Sequence, residues 1–382
     1  MIRHTIPSSR YDVVIAGARC AGASTALLLA RAGHRVLLVD RGRYGTDTLS
    51  THALMRGAVV QLYRWDLLPA VIASGTAPVR KATFFYGGED AVSIPIAARD
   101  GIEALFAPRR YVLDRILVDA AATAGVDVVY GVRLRELERS ASGRVHGAVL
   151  EDDAGVLHRV ASHVVVGADG MQSSVARLVA AQTYRTGQHA TATIYGHWSG
   201  LAVDGYEWYF VPGLSAGAIP TNAGEACVTL SIPSADFTRR FAHQQARAFH
   251  EALSQVAPDL ARQVATARPA PLHGFPGQVG FFRRACGPGW ALVGDAGYFK
   301  DPLTAHGITD ALRDAELLAS AIDAGSERAF ADYEAQRDAA SIDLFQITDA
   351  IAGFGWDLTS VRPLHESLAR AMSREVKLLA RA

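Results

Sequence analysis

The first residues suited to chemistry are glycines and an aspartate near the start of the chain. The turn Gly17-Ala18-Arg19-Cys20-Ala21-Gly22 follows the buried-strand pattern YDVVIAG and opens a helix of small aliphatic residues. Gly17 permits a tight turn, Gly22 lets helix and strand pack closely, and the helix start at Cys20 and Ala21 offers unpaired N–H groups to a pyrophosphate. Asp40 ends the next strand, where its carboxylate can accept hydrogen bonds from a ribose hydroxyl.

This turn departs from the usual three-glycine pattern at one position. Arg19 stands where the middle glycine normally lets the backbone meet the pyrophosphate. Its side chain either points outward or brings a cation to the phosphate. An ordinary glycine-turned strand–helix unit is the alternative, and the spacing to Asp40 argues against it. Arg41, directly after Asp40, leaves the identity of the nucleotide open.

A second segment with this chemistry lies late in the chain. Gly294-Asp295-Ala296-Gly297 ends a strand, and a helix begins near Ile308 after the run DPLTAHG at 301–307. The carboxylate of Asp295 can bind the hydroxyls of a sugar-like chain, while the start of the new helix stabilises an anion. A reduced flavin carries negative charge on its pyrimidine edge, so the segment suits such a ring.

A third segment, at 167–174, lies between these two along the chain. Asp169 and Gly170 stand where a strand turns into a helix, with Ser173 and Ser174 as candidate N-caps. Taken alone, a capped turn without a functional role explains the residues equally well. Its interest comes from its place between the other two segments.

The surrounding elements must bring these segments together. Strand–helix alternation occurs at the start of the chain and near 290–325, and an antiparallel block at 190–235 is inserted between. This order predicts a discontinuous nucleotide domain that carries a second sheet. The stretch 47–68 is expected to be mostly helical after an irregular start. The tail from Ile342 is expected to be helical, broken at Gly353–Gly355, and to pack on its own domain or on a partner chain.

Composition narrows the class of protein. The chain has 382 residues, 49% hydrophobic and 20% charged, so it can bury a sizeable core. Lys plus Arg equals Asp plus Glu at 38 each, which gives no sign of a nucleic-acid partner. The short polar start has no signal-peptide pattern, no window suits a membrane span, and the three cysteines form no CxxC pair. We therefore expect a cytoplasmic protein, with its oligomeric state open.

The three segments, in this order, resemble the class A flavoprotein monooxygenase superfamily. That group includes para-hydroxybenzoate hydroxylase-like enzymes, geranylgeranyl reductases and flavin-dependent halogenases, and the resemblance covers roughly residues 10–340. The late segment is the most specific part, since GDA, Pro302, Gly307 and Ala311 meet the family pattern. It departs at Ala305, where the family usually has glycine, and at His306.

The resemblance implies an α/β fold. A Rossmann-like (glutathione-reductase-type) FAD-binding domain would carry an inserted antiparallel β-sheet substrate domain and C-terminal helices. The implied boundaries are 1–80, 105–180 and 275–340 for the FAD-binding domain, 81–104 and 181–274 for the substrate-binding domain, and 341–382 for the C-terminal helical segment.

The resemblance also implies which residues hold FAD. Arg56, in MRGAV, looks like the family's flavin-phosphate arginine, and Arg110, in RRYVLDRIL, resembles the arginine that opens the long cofactor-contacting helix. A solvated or salt-bridged side chain is the alternative for each. The full implied FAD-binding set is Gly17, Arg19, Cys20, Ala21, Gly22, Asp40, Arg41, Arg56, Arg110, Asp169, Gly294, Asp295, Pro302, Gly307 and Ile308.

The antiparallel block contains the segment that indicates which branch of the family the chain resembles. Trp208 and Phe210, in YEWYFVPG at 206–213, resemble the aromatic segment of geranylgeranyl reductases, and they are candidate substrate contacts or simply inward-packed aromatics. The halogenase box is only loosely matched. None of the lysines, Lys81, Lys300 and Lys377, lies in the early context that halogenases use, so halogenation is disfavoured.

Two reactions remain open. In the first, NADPH or NADH reduces the FAD, dioxygen forms a flavin hydroperoxide, and an aromatic or polyketide-like small molecule is hydroxylated or epoxidised. In the second, FAD serves to reduce isoprenoid or other carbon–carbon double bonds, and a flavin-free binding protein is a third possibility. A phenol-like substrate would need a general base, for which His306 is the first candidate and His52 the second. A structural role is the alternative for each histidine.

Overall fold

The computed structural model describes residues 2–3, 5–88, 90–241 and 243–380. Within these residues the chain alternates strands and helices at both ends of the nucleotide-binding part, with a long antiparallel block between. The helices in chain order are α1 (Cys20–Arg31), α2 (Arg56–Arg64), α3 (Leu68–Ala73), α4 (Arg110–Thr123), α5 (Ser174–Leu178), α6 (Phe237–Phe241), α7 (Gln245–Val256), α8 (Pro258–Thr266), α9 (Gly307–Ala324), α10 (Glu327–Ala352) and α11 (Leu358–Leu379). The strands are β1 (Ile2–Arg3), β2 (Val13–Ala16), β3 (Val36–Asp40), β4 (Lys81–Tyr86), β5 (Ala91–Pro95), β6 (Asp127–Tyr130), β7 (Val132–Arg139), β8 (Val145–Asp152), β9 (Leu157–Ala161), β10 (Val164–Gly167), β11 (Thr183–Thr186), β12 (Thr191–Ser199), β13 (Tyr206–Val211), β14 (Leu214–Pro220), β15 (Glu225–Pro233), β16 (His273–Phe275), β17 (Phe281–Arg283), β18 (Cys286–Gly287), β19 (Trp290–Leu292) and β20 (Tyr298–Phe299).

The first large sheet has the order β1-β6-β3-β2-β10-β19-β18 and is parallel except at β18. Its central strand β2, VVIA, is buried along its whole length, as a strand covered on both faces must be. Val13 and Ile15 pack in a cluster with α1, α4 and α9, whereas Val14 and Ala16 pack against the meander β7-β8-β9. This arrangement confirms the predicted α/β fold with a Rossmann-like nucleotide-binding sheet.

The second large sheet has the order β16-β12-β15-β14-β13-β4-β5 and is antiparallel except between β13 and β4. Its outer face is covered by α7 and α8, with Phe249 of α7 and Leu260 of α8 in the shared hydrophobic cluster. The strands alternate, so the other face presents Tyr195, Trp208 and Ser231 to the interior of the molecule. The predicted antiparallel insertion is therefore present.

The tail packs on its own chain. Helix α11 contacts α2 and α10, and its residues Glu375 and Val376 are buried. The break in the tail falls at 353–357 and includes the expected break at Gly353–Gly355. The irregular start expected for 47–68 is a loop over 47–55, whose contacts are with distant residues such as Tyr195 and Arg109. The helix that follows, α2, is shorter than expected and ends at Arg64. None of the described helices combines the length and apolarity needed to cross a membrane.

Candidate functional site

One cavity of about 840 Å³ reaches all three of the segments singled out from the sequence. Gly17 and Asp40 border it at one end, and Asp295, Pro302 and Gly307 border it elsewhere. The inner face of the second sheet and helix α11 complete its walls. The two remote corners of the chain thus open onto a single continuous space.

We call the turn around Gly17 and Gly22, together with Asp40, the early corner, and the segment 294–308 the late corner. The early corner is built from backbone contacts. Gly17 has φ +108°, a left-handed value that favours glycine, and a Cβ on Gly22 would overlap the Gly17 carbonyl oxygen. Asp40 receives the N–H of Ala18 at 2.8 Å and that of Gly42 at 2.7 Å. The first N–H groups of α1 have no partner within the helix, and no side chain caps them. This corner suits an anion beside the helix start.

Arg19 does not leave its cation free for that anion. Its guanidinium lies 2.9 Å from Asp114 and donates to the Thr46 carbonyl at 2.8 Å. Asp114 also receives Arg110 at 3.0 Å and the Cys20 thiol at 3.2 Å. Burial raises the pKa of the Cys20 thiol, with the Asp114 carboxylate adding to the effect against the opposing arginines. The Arg19 side chain is thus engaged with protein groups, an arrangement that neither sequence-based alternative described, while the residue still borders the cavity.

The late corner presents a second uncapped helix start. Asp301 caps the short turn at 302–304 through the Leu303 N–H, but α9 begins at Gly307 with no side-chain cap. Ala305 has φ +51°, in the left-handed region that favours glycine. Burial raises the pKa of Asp295 to about 6, and the nearby Asp310 carboxylate adds to the shift.

A buried charge cluster stands behind this corner. We define the late cluster as Lys300, His306, Asp310, Arg313 and Glu375. Lys300 pairs with Asp310, and Arg313 contacts Asp310 at 3.0 Å and Glu375 at 2.5 Å. His306 Nε2 lies 2.6 Å from Glu375 Oε2. Glu375 belongs to α11, so these contacts tie the C-terminal helix to the start of α9.

His306 therefore faces away from the cavity. It is 1% exposed and is absent from the cavity wall, although its neighbours Ala305 and Gly307 are part of it. This placement corrects the preference for His306 over His52 as a base, because the ring is turned into the late cluster. The sequence showed only that His306 precedes the helix, and the side-chain direction depends on Glu375.

Asp169 provides a test of whether the cavity fits a hydroxyl-rich cofactor. Its Oδ2 accepts the Ser174 N–H at 2.6 Å, and Ser173 caps α5 as expected. Its Oδ1 is buried and has no hydrogen-bond partner among the residues that the structure describes. Buried carboxylate oxygens are normally satisfied, so this atom fits a hydroxyl donor of a ligand in the cavity that Asp169 borders.

His52 is the ionisable base that borders the cavity from the loop before α2. Its φ is +66°, a strained value for a residue other than glycine, of a kind that clusters at functional sites. Its Nε2 lies 2.9 Å from the Nε2 of His197, while the ring centres are 5.1 Å apart. Because the nitrogens are much closer than the ring centres, the rings meet end to end through one N–H···N hydrogen bond.

Both rings of this pair are neutral near pH 7. Burial lowers the pKa of His52 well below its usual value, with His197 as the next cause, and burial lowers the pKa of His197 to about 4. Asp47 opposes both shifts, while Arg109 strengthens them. Nδ1 of His52 has no partner within the described part of the chain. It is thus a nitrogen without a hydrogen bond on a residue that borders the cavity.

The remaining walls come mainly from residues that the sequence did not single out. The predicted Trp208 and Phe210 border the cavity, together with Phe84 of β4. Helix α11 adds a stripe at i, i+3, i+4 and i+7, and small hydroxyl residues of the second sheet form another side. These additional residues are His365, Leu368, Ala369, Met372, Thr193, Ser215, Thr229 and Ser231. The periodicity of α11 could have been read from the sequence, but its target could not.

Most of the predicted FAD-binding residues border the same cavity. They are Gly17, Arg19, Cys20, Ala21, Asp40, Arg41, Arg110, Asp169, Asp295, Pro302, Gly307 and Ile308. Gly22 and Gly294 lie just behind the wall, where a Cβ on Gly294 would come within 2.9 Å of Ala21 Cβ. Arg56 instead donates to the Ala97 carbonyl at 2.6 Å. Their roles toward a cofactor stay predictions.

Comparison with known proteins adds a family and a set of similar proteins. Residues 10–347 match the family model described as FAD binding domain. The chain is 26% identical over 341 residues to menaquinone reductase of Mycolicibacterium smegmatis, covering 83% of this chain and 78% of that protein. It is 26% identical over 332 residues to digeranylgeranylglycerophospholipid reductase 1 of Methanococcoides burtonii, covering 82% and 74%.

Solved structures share the fold at lower identity. PqsL from Pseudomonas aeruginosa, a probable FAD-dependent monooxygenase, is 22% identical with a TM-score of 0.75, covering 95% of this chain and all of that one. The flavin-dependent brominase Bmp2 is 20% identical with a TM-score of 0.79, covering 97% and 93%. At these identities the likeness concerns the fold alone.

Proposed function

Because the chain belongs to the FAD binding domain family and is thus a flavoprotein oxidoreductase, we propose that it is a monooxygenase. It would use NADPH or NADH and dioxygen to hydroxylate or epoxidise an aromatic or polyketide-like small molecule. The observation that carries this proposal is the cavity itself. It joins two uncapped helix starts to an aromatic-walled pocket and has the neutral base His52 at its border.

FAD, when bound, supplies the redox and oxygen chemistry that no side chain provides. The start of α1 would hold its pyrophosphate with backbone N–H groups, and Asp40 would accept a ribose hydroxyl. The orphan Oδ1 of Asp169 and the carboxyl of Asp295 would take further hydroxyls of the cofactor. The N–H groups at the start of α9 would favour negative charge on a ring placed against residues 302–308.

His52 would receive a hydrogen bond or a proton from a substrate hydroxyl. When its Nε2–H donates to His197, its Nδ1 carries the lone pair that can accept. In this tautomer the hydrogen bond to His197 occupies Nε2 and leaves Nδ1 as the basic nitrogen. Burial keeps the ring neutral, so Nδ1 is available throughout the usual pH range of an enzyme assay. The strained backbone at His52 would hold the ring in this position.

The apolar walls would exclude water from the reacting atoms. Phe84, Trp208 and Phe210 line one side, and Leu368 and Met372 of α11 line another. Removing water strengthens each remaining electrostatic contact and protects reactive species from hydrolysis. A molecule with a ring fits such walls, and the hydroxyls of Thr193 and Ser231 offer it polar contacts.

Reduction of an isoprenoid or other carbon–carbon double bond is the second candidate. It is favoured by the similarity to menaquinone and digeranylgeranylglycerophospholipid reductases over more than four-fifths of the chain. The same apolar walls would accommodate a branched chain. This reaction would not need dioxygen, and it would leave the neutral His52–His197 pair without an evident role.

Oxygen uptake separates the two candidates. The FAD-loaded protein is mixed with NADPH or NADH and a phenolic probe such as 2-naphthol, and consumption of dioxygen and of the nicotinamide are followed together. A monooxygenase consumes about one dioxygen per nicotinamide, is accelerated by the probe, and places one oxygen atom in the probe while the other leaves as water. Oxidation of the nicotinamide without oxygen uptake, accelerated by an isoprenoid, would establish the reductase instead.

The two histidines give a matched pair of variants for this assay. His52→Leu should lower the probe-dependent rate by about 10²–10⁴-fold, the usual contribution of a positioned base. His306→Gln, compared at equal flavin content, should stay within about tenfold of the parent, because His306 faces the late cluster. Equal losses in both variants would contradict the role assigned to His52.

A further inference from the structure

The cavity ends in a slot between the second sheet and helix α11. On the sheet side, β4 and β13 run parallel with Phe84 opposite Trp208 and Tyr86 opposite Phe210. On the helix side, His365, Leu368 and Met372 lie on one stripe, three or four residues apart. The slot thus has aromatic side chains on one wall and aliphatic side chains on the other. Such walls favour a flat apolar ring.

His365 closes this slot where helix and sheet meet. Its ring centre is 4.3 Å from that of Phe210 and 5.9 Å from that of Phe84. Its Nδ1 lies 2.9 Å from the Tyr86 hydroxyl, which fixes the orientation of the imidazole. Since His365 borders the cavity and Tyr86 occupies Nδ1, Nε2 is the ring nitrogen left for a ligand.

The protonation of His365 follows from its surroundings. Burial lowers the pKa of His365 to about 4, so the ring is neutral near pH 7, and burial raises the pKa of Tyr86 to about 12, so the phenol keeps its proton. The guanidinium of Arg362 lies 4.5 Å from the centre of the Tyr86 ring and makes that hydroxyl a better donor. Donation from Tyr86 to Nδ1 leaves the N–H on Nε2.

We propose that this slot holds the ring of the substrate and that His365 Nε2–H donates a hydrogen bond to an oxygen on that ring. The substrate class is then an oxygenated planar aromatic with the oxygen at its far edge, as a ketone, phenol or quinone. His365 is a specificity residue here and takes no part in the oxidation itself. The proposal deepens the proposed function, on which it rests only for the identity of the site.

The test uses ligand binding to the oxidised, FAD-loaded protein without nicotinamide. Ring binding near the flavin is followed through the visible absorption of the flavin. Three probes separate the contribution of the ring to the affinity from that of the oxygen. Of these, 2-acetylnaphthalene has both groups, 2-ethylnaphthalene has the ring alone, and geranylacetone has the ketone on an isoprenoid chain. The parent should bind 2-acetylnaphthalene about tenfold more tightly than 2-ethylnaphthalene, as one hydrogen bond provides.

His365→Phe keeps a flat ring beside Phe210 and removes the donor. It should bring the affinity ratio of the two naphthalenes close to about one while leaving 2-ethylnaphthalene unchanged. Glu366→Gln, at the exposed neighbouring position of the same helix, should keep the parent ratio. A ratio that persists in His365→Phe, or geranylacetone binding as tightly as 2-acetylnaphthalene to the parent, would overturn the proposal.

A second variant tests the aromatic wall without touching His365. Phe84→Leu should weaken both naphthalenes by about two- to tenfold, the range of an aromatic contact, and leave geranylacetone unchanged. Equal weakening of all three probes would contradict a slot that selects rings. Because no turnover is measured, a failure to consume dioxygen would refute the proposed monooxygenase activity and leave this slot standing.

Discussion

The early and late corners of the cavity each present an uncapped helix start, but different interactions hold the two helix starts in place. Each places an uncapped helix start, that of α1 or that of α9, directly after a strand or short turn. The early corner relies on glycine backbone contacts between Gly17, Gly22 and Ala168. The late corner relies on the charges of the late cluster, which join residues 300–313 to Glu375 of α11.

The two corners also differ in the sequence separation of the residues that contact them. The Asp40 contacts of the early corner lie between residues 17 and 42, so a short stretch of sequence specifies them. The late corner depends on a helix that ends near the last described residue. Substitutions can therefore break each corner in its own way, and they should separate backbone crowding from loss of charge.

Gly22→Ala should have the largest effect because its Cβ would overlap a backbone oxygen that cannot move away cheaply. We expect a loss of more than about 4 kcal/mol in the free energy of unfolding, or no FAD-containing protein at all. Flavin content after purification and thermal unfolding measure this directly. Gly355→Ala, where a Cβ meets nothing within 4 Å, should behave like the parent. Normal flavin content in Gly22→Ala would show that the corner is more pliable than described.

Glu375→Leu should be next, since it leaves Arg313 and His306 buried without their shared partner. Breaking a buried ion pair from one side costs about 3–5 kcal/mol, measurable by denaturant unfolding at pH 7. Glu366→Leu, on the exposed face of the same helix, is the matched control and should change stability by less than about 0.5 kcal/mol. Equal stability of Glu375→Leu and the parent would mean that the late cluster does not hold α11 in place.

The stability difference between the parent and Glu375→Leu should depend on pH. Burial alone would raise the pKa of Glu375, but contact with His306 and Arg313 lowers it below the ordinary value. The stabilisation is then present above the unfolded-state pKa of about 4.3 and is lost as the pH falls through the folded-state value. The stability gap between parent and Glu375→Leu should accordingly shrink on acidification below about pH 4.

Asp295→Asn should have a smaller effect of opposite sign on the flavin-free protein. The folded pKa of Asp295 is raised to about 6, so ionising this buried carboxyl costs stability as the pH rises through that value. The variant should gain at most about 3 kcal/mol at pH 7 and nothing below about pH 4. Unfolding at several pH values checks this, and a gain that does not depend on pH would refute it. FAD affinity should fall at the same time.

Arg56→Met should have the smallest effect on FAD binding. Its guanidinium binds the Ala97 carbonyl and does not border the cavity, although the sequence suggested a contact with the flavin phosphate. We expect a change in FAD affinity of less than about threefold, equivalent to about 0.7 kcal/mol. A loss of tenfold or more in an FAD titration would restore the phosphate role.

These contrasts explain how much the sequence could reveal. The sequence pattern was enough to single out Gly17, Gly22 and Asp40, because a tight turn and a close helix–strand contact depend on residues that are near one another in the chain. The discontinuous nucleotide-binding domain and the antiparallel insertion were predicted from the alternation of strand and helix patterns. The direction of a side chain could not be predicted in this way. His306 turns toward Glu375 and away from the cavity, although its sequence neighbours Ala305 and Gly307 border that cavity. His365 could not be chosen, because its chemistry arises only when α11 meets β4 and β13.

Hydrogen exchange with and without FAD tests most directly whether the two corners hold one cofactor. Amides at the starts of α1 and α9 have no partner within their helices, so they should exchange quickly in the flavin-free protein. One equivalent of FAD should slow exchange at 20–22 and at 307–309 together, with the same dependence on FAD concentration. Protection of only one stretch, or protection of the two at different FAD concentrations, would contradict a single cofactor spanning both corners.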